Sequence, residues 1–210
     1  MTTRFNRILY HALALAMGIF LSASAMAAGT LAYDATDKDL VKEAQGITGT
    51  VGVNNVAEAA AAVPAGSPAV ILAGHGEAGV LGLGSGSAGG YHKGQDLHYG
   101  KLNDVLTELQ TINGKLGNGS ILILSGCCTG KGKEGEQLLK ELSAILTKAT
   151  VFANTEKVGL YRKATKGPVC TVQGKKVWQQ SSTVVGQNGV FRKATRDDIK
   201  AMNAAACVPS

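Results

Sequence analysis

Two unbroken apolar runs constrain this chain more than any other feature: AVILA at 69–73, closing on Gly74-His75-Gly76, and ILIL at 121–124, closing on Ser125-Gly126-Cys127. A run without polar alternation is what a strand needs when both of its faces are covered. Such strands belong to parallel sheets, where crossover helices lie over both sides. The stretch between the runs supplies one crossover. Leu102, Val105, Leu106, Leu109, Ile112 and Leu116 fall at helical spacing and predict an amphipathic helix over 101–116, ended by Gly117.

The alternation continues on both sides. Leu138, Leu139, Leu142, Ile145 and Leu146 mark a helix over 134–148, and ATVFAN at 149–154 reads as a third strand. Upstream, DATDKDLVKEAQ predicts a short helix capped by Asp34 or Thr36, ITGTVGV a strand, and NNVAEAAAAV a helix closed by the Pro64-Ala65-Gly66 turn. Residues 80–94 predict a short strand leading into a glycine-rich loop. Strand and helix in alternation imply an α/β domain over 28–157, a mainly parallel sheet flanked by helices. Beyond 158 the pattern changes to hairpins, one turning at Gln173-Gly174 and one at Asn188-Gly189, before a last short helix in RDDIKAMNAAAC. Residues 158–210 are therefore expected to form a β-rich extension of the same domain.

The N-terminus is read separately. Arg4 and Arg7 precede an apolar centre from Ala12 to Leu21 and an Ala25-Met26-Ala27 ending, the pattern of a secretory signal peptide over 1–27. Its centre is shorter than the roughly 20 residues of a membrane span, and no later stretch is long and apolar enough, so the mature chain is expected to be exported, periplasmic or extracellular, without a transmembrane segment. The net charge of +6 is uneven: 28–130 carry five basic against nine acidic residues, 131–210 fourteen against six. The basic part lacks the interleaved aromatics of a base-stacking platform, which argues against a nucleic-acid partner.

Four cysteines enter a compartment that permits disulfides: Cys127, Cys128, Cys170 and Cys207. A bridge between neighbours 127 and 128 would be strained, so the simplest division pairs Cys170 with Cys207 and leaves the other two unbridged.

Several familiar chemistries fail on spacing. GHGEAG at 74–79 satisfies GxGxxG, yet the chain continues as strand and loop rather than as the helix whose N-terminus must face a pyrophosphate. GCCTGKG at 126–132 has one residue too few for a phosphate loop, no serine sits in a GxSxG elbow, and His75, His92, His98 and the cysteines show no close-spaced zinc pair. His92 and Trp178 are at most groove-lining residues. There remains the pairing of His75 with Cys127, each immediately beyond an apolar strand. Neighbouring parallel strands deliver such residues to one crevice, and an imidazole beside a thiol assists thiolate formation and protonates a leaving amine. The Gly76 and Cys127 amides could then stabilise an oxyanion, with Lys131, Lys133 and a helix N-terminus adding positive potential near the sulfur.

At these residues the sequence resembles the caspase-like clan of cysteine peptidases, whose pattern is an apolar strand ending in His-Gly, a helix, and an apolar strand ending in a small residue and the nucleophilic cysteine. AVILAGHG at 69–76 and ILILSGC at 121–127 carry it, LSGCCTG is similar to the cysteine block of bacterial CHAT domains, and the likeness spans roughly 67–154. It implies a caspase-like three-layer sandwich and an exported endopeptidase acting on a peptide or protein substrate. His75 would be general acid/base, Cys127 nucleophile, and the Gly76 and Cys127 amides the oxyanion hole, with neither metal nor organic cofactor called for. Cys128, a second thiol beside the first, is the competing nucleophile. The rival expectation is a catalytically inactive secreted binding or effector module that keeps the fold and presents its basic C-terminal surface.

Overall fold

The computed structural model describes residues 29–45, 49–86, 89–157, 169–170 and 179–208. The signal peptide expected at 1–27 and the hairpin expected around Gln173-Gly174 lie outside the described residues. Among the described residues, no helix is long and apolar enough to cross a membrane.

The chain opens with strand β1 (Thr30–Asp34), helix α1 (Lys38–Ala44), strand β2 (Thr50–Val53) and helix α2 (Val56–Ala62). Two sequence expectations change here. TLAYD, five residues too short to show a period, is a strand, and α1 is capped by Asp37 rather than by Asp34 or Thr36. Asp37 wins the cap because its carboxylate reaches two free amides of the first turn, Asp39 N at 2.8 Å and Leu40 N at 3.2 Å. Asp34 instead turns its oxygens to the Thr36 amide and hydroxyl and to the distant Gly86 amide.

Strand β3 (Ser67–Ala73) is the first apolar run, followed by three short strands, β4 (Gly76–Glu77), β5 (Val80–Gly82) and β6 (Asp96–His98), which form a small antiparallel sheet of their own. A 3-10 turn (Leu102–Val105) leads into helix α3 (Leu106–Lys115). The helix gives way at Leu116, not Gly117, to β7 (Leu116–Ser125), the second run. Helix α4 (Gly132–Ile145) and strand β8 (Ala149–Asn154) follow.

Strands β2, β1, β3, β7 and β8 lie side by side in that order, all parallel. The expected Asn188-Gly189 hairpin is present as β10 (Thr183–Gln187) and β11 (Val190–Lys193), with φ of 50° and 75° at the two turn residues, the left-handed pair that a tight two-residue hairpin turn requires. It adds antiparallel to β8, so this part of the C-terminal extension completes one seven-stranded sheet.

Alternation along each central strand splits the core into two layers. Val70, Leu72, Leu122, Leu124, Val151 and Ala153 point to one face and meet α2, α3 and α4 through Ala59, Leu109, Ile112, Leu138 and Leu142. Ile71, Ala73, Ile121, Ile123 and Phe152 point to the other and meet α1 and helix α5 (Arg196–Ala206), whose Met202 is fully buried. Each such leucine or isoleucine, taken wholly from water, contributes about 1.5–3 kcal/mol. The result is a helix–sheet–helix arrangement around a mostly parallel mixed sheet. Finally, β9 (Val169–Cys170) pairs with β12 (Cys207–Val208), and the backbone register sets Cys170 opposite Cys207; their side chains lie outside the described residues.

Candidate active site

The strand order reverses beside β1, since the chain leaves β1 for β2 on one side and continues through β3 and β7 on the other. In an open α/β sheet the crevice for ligands forms at this point, beyond the carboxyl ends of the strands. Three strands end here in step. Tyr33 of β1 is level with Ala73 of β3, and Ala73 is level with Ser125 of β7. His75 and Cys127 each stand two residues past that line, on adjacent parallel strands.

Glycine brings the two tips into contact. A methyl group built on Gly76 would sit 2.7 Å from the Cys127 nitrogen, 2.6 Å from the Gly126 carbonyl carbon and 2.5 Å from the Thr129 hydroxyl. One on Gly126 would meet Leu81 at 2.5 Å and the Gly76 Cα at 3.1 Å. Neither position has room for a side chain, so the backbone following the histidine lies directly against the backbone bearing the cysteine. The Gly76 amide has a defined direction as well. Gly82 N donates to the His75 carbonyl at 2.9 Å, which makes Gly76 and Leu81 the pair of the β4–β5 ladder that exchanges no hydrogen bonds, and the Gly76 N–H therefore faces away from β5.

The cysteine loop is shaped chiefly by main-chain bonds. Cys128 N donates to the Glu156 carbonyl at 2.9 Å, Gly130 N to the Asn154 carbonyl at 2.9 Å, Lys131 N to the Cys128 carbonyl at 2.8 Å, and Gly79 N to the Thr129 carbonyl at 3.0 Å. One buried side chain adds to them, Thr129, whose hydroxyl donates to the Val80 carbonyl at 3.2 Å. This bonding holds Cys128 at φ 58°, a left-handed conformation uncommon for a residue with a side chain. Cys127 and Cys128 are both half-buried and neither is disulfide-bonded. Lys131 and Lys133 are exposed where α4 begins.

His75 is itself well exposed, its side chain at 49%, and its Nε2 lies 2.9 Å from Oδ2 of Asp37, a carboxylate only 8% exposed. Sequence reasoning passes over Asp37. The signal that could have found it is an aspartate at a helix N-cap just past the strand beside the histidine's own, legible only once TLAYD is known to be a strand.

The other candidate histidines have partners of their own. The Nδ1 of His92 lies 3.1 Å from Asp96 within the glycine-rich loop, and His98 stacks on Tyr99 with its Nδ1 2.6 Å from that residue's carbonyl. Trp178 lies outside the described residues. No group of three or more His, Cys, Asp or Glu that could hold a metal occurs among the described residues. The GHGEAG stretch runs through β4 into the turn before β5, with no helix inside it.

Residues 47–167 match the family described as Domain of unknown function (DUF4347). The chain belongs to this family. The DUF4347 match runs from the approach to β2 through β8 and contains His75, Gly76, Cys127 and Cys128, whereas Asp37 lies before it and the β10–β11 hairpin after it. No curated protein and no solved structure matches the chain.

Proposed function

We propose that this protein is an exported cysteine peptidase of caspase-like architecture, with Cys127 as nucleophile and His75 as its acid and base. The observation that carries the reading is the contact between Gly76 and the Gly126–Cys127 backbone, which sets the histidine and the cysteine on abutting strand tips in the crevice of the sheet. The sulfur of Cys127, as thiolate, attacks the carbonyl carbon of a peptide bond. The oxygen takes up negative charge, which the Gly76 and Cys127 amides would stabilise. The C–N bond then breaks, the amine leaving with a proton from His75, and a thioester remains. Water attacks the thioester, His75 accepts its proton, and the thiol and a carboxylic acid are released.

Cys127 is preferred to Cys128 as the nucleophile because its backbone is the one against the His-Gly turn. A mixed peptide library tests this on the mature protein. Cleavage is expected to fall about a thousandfold or more in Cys127→Ala and to survive in Cys128→Ala. Iodoacetamide should label Cys127 first. Equal labelling of both cysteines, with no cleavage by the unmodified protein, would reject the reading and leave the fold as a binding module.

A further inference from the structure

We propose that Asp37 is the positioning residue for the His75 imidazole, so that Asp37, His75 and Cys127 form a line across the tips of β1, β3 and β7. The inference rests on the peptidase reading and assigns the histidine's two nitrogens separate tasks.

An ionised aspartate only accepts hydrogen bonds, so the ring nitrogen 2.9 Å from Oδ2 of Asp37, Nε2, must carry a hydrogen. In the neutral ring the lone pair then belongs to Nδ1, and Nδ1 is the nitrogen left to exchange a proton with the thiol and the leaving amine. Asp37 suits this task because it cannot readily turn away. Its other oxygen is held by the Asp39 and Leu40 amides at the head of α1, and the side chain is nearly buried. The ring it holds is about half exposed, and the bond to Asp37 fixes an orientation that solvent would otherwise leave loose. His75 and Cys127 stand two residues beyond β3 and β7, and Asp37 caps the helix that follows β1; these three adjacent parallel strands end in register.

Asp37→Asn is a selective test. Asparagine caps a helix about as well as aspartate, so its oxygen keeps the Asp39 and Leu40 amides and the fold is expected to stand. Its NH2 group then faces Nε2 and donates where the carboxylate accepted, which moves the ring hydrogen to Nδ1 and removes the lone pair the reaction needs. Inverting the bond that orients a catalytic imidazole in this way has cost about 10⁴ in kcat in a serine peptidase, and a fall of about 10²–10⁴ in kcat with KM within about threefold is expected here. Asp37→Ser also caps the helix but does not reach the ring, and should fall between the two.

The readout that a purely structural role would not move is the ¹⁵N spectrum of the His75 ring, compared at a pH where the ring is neutral. The unmodified protein should show hydrogen on Nε2, and Asp37→Asn hydrogen on Nδ1. A protein that cleaves peptides, together with an Asp37→Asn variant that has the same ring spectrum and kcat within fivefold, overturns this proposal and leaves the peptidase reading intact. An unmodified protein that cleaves nothing removes both.

Discussion

His75 and His92 each lie beside a buried carboxylate, at 2.9 and 3.1 Å, and each ring is close to half exposed. The resemblance ends at the partner's other bonds. Asp96 accepts from the ring of His92, from the His92 amide at 2.6 Å and from the Ser85 hydroxyl at 3.0 Å, all within the glycine-rich segment that it closes. Asp37 divides its oxygens between its own helix and a histidine 38 residues away, in the turn between β3 and β4. One pair sets the shape of a loop, and the other ties a side chain to the sheet. The His92 pair joins residues four apart in one segment, whereas the His75 pair joins two segments distant in sequence beyond the tips of β1 and β3.

The largest effect separating the two pairs should be on stability. Asp96→Ala removes a 2%-exposed acceptor that holds both the ring and the amide of His92, for a loss of about 3 kcal/mol. Urea titration followed by circular dichroism measures it. A loss below about 1 kcal/mol would mean that the loop keeps its shape without Asp96, and the contrast between the two histidines would lose its physical basis.

The features legible in the sequence and those hidden from it divide along the same line. The two apolar runs, the crossover between them and the Asn188-Gly189 hairpin were legible because each rests on local chemistry: continuous burial, 3.6-residue spacing, and a left-handed turn. From them follow the adjacency of β3 and β7 and the placement of His75 and Cys127 at neighbouring tips. Strand β1 was not legible, since TLAYD is five residues long with a charged end. Its identity comes from pairing with β2 and β3, which are distant in sequence. Asp37 was lost with it, as a residue whose role depends on where its strand lies. The β4 and β6 strands were missed for a similar reason, being two and three residues long and defined only by their contacts.

A third carboxylate gives the scale for a pair with no part in the crevice. Asp198 receives Nη2 of Arg192 at 2.9 Å and the Thr195 amide and hydroxyl at 2.7 Å each, closing the head of α5. The Arg192 guanidinium, with help from Thr195, holds its carboxyl well below the usual carboxylate range. A carboxyl whose folded pKa is depressed stabilises the fold above its unfolded value, near 3.8, and that stability drains away as the pH falls toward the folded value. Asp198→Asn should therefore cost about 1 kcal/mol at pH 7, with the gap to the unmodified protein narrowing below pH about 4. Thermal melts at pH 7, 5 and 3 test the sign. A gap that widens on acidification would show that charge at Asp198 is not what holds α5.

The smallest effect is the most telling for the comparison. His75→Ala should change stability by no more than about 0.5 kcal/mol, because the ring is exposed and its loss does not strand Asp37, which keeps the Asp39 and Leu40 amides. The expectation is specific to this histidine, since its partner is satisfied from the helix side and its own ring supports no loop. Paired urea curves for His75→Ala and the unmodified protein should overlay at neutral pH. A loss above about 1.5 kcal/mol would place His75 with His92, as a side chain kept for architecture. An overlay would identify an imidazole that the fold orients and does not need.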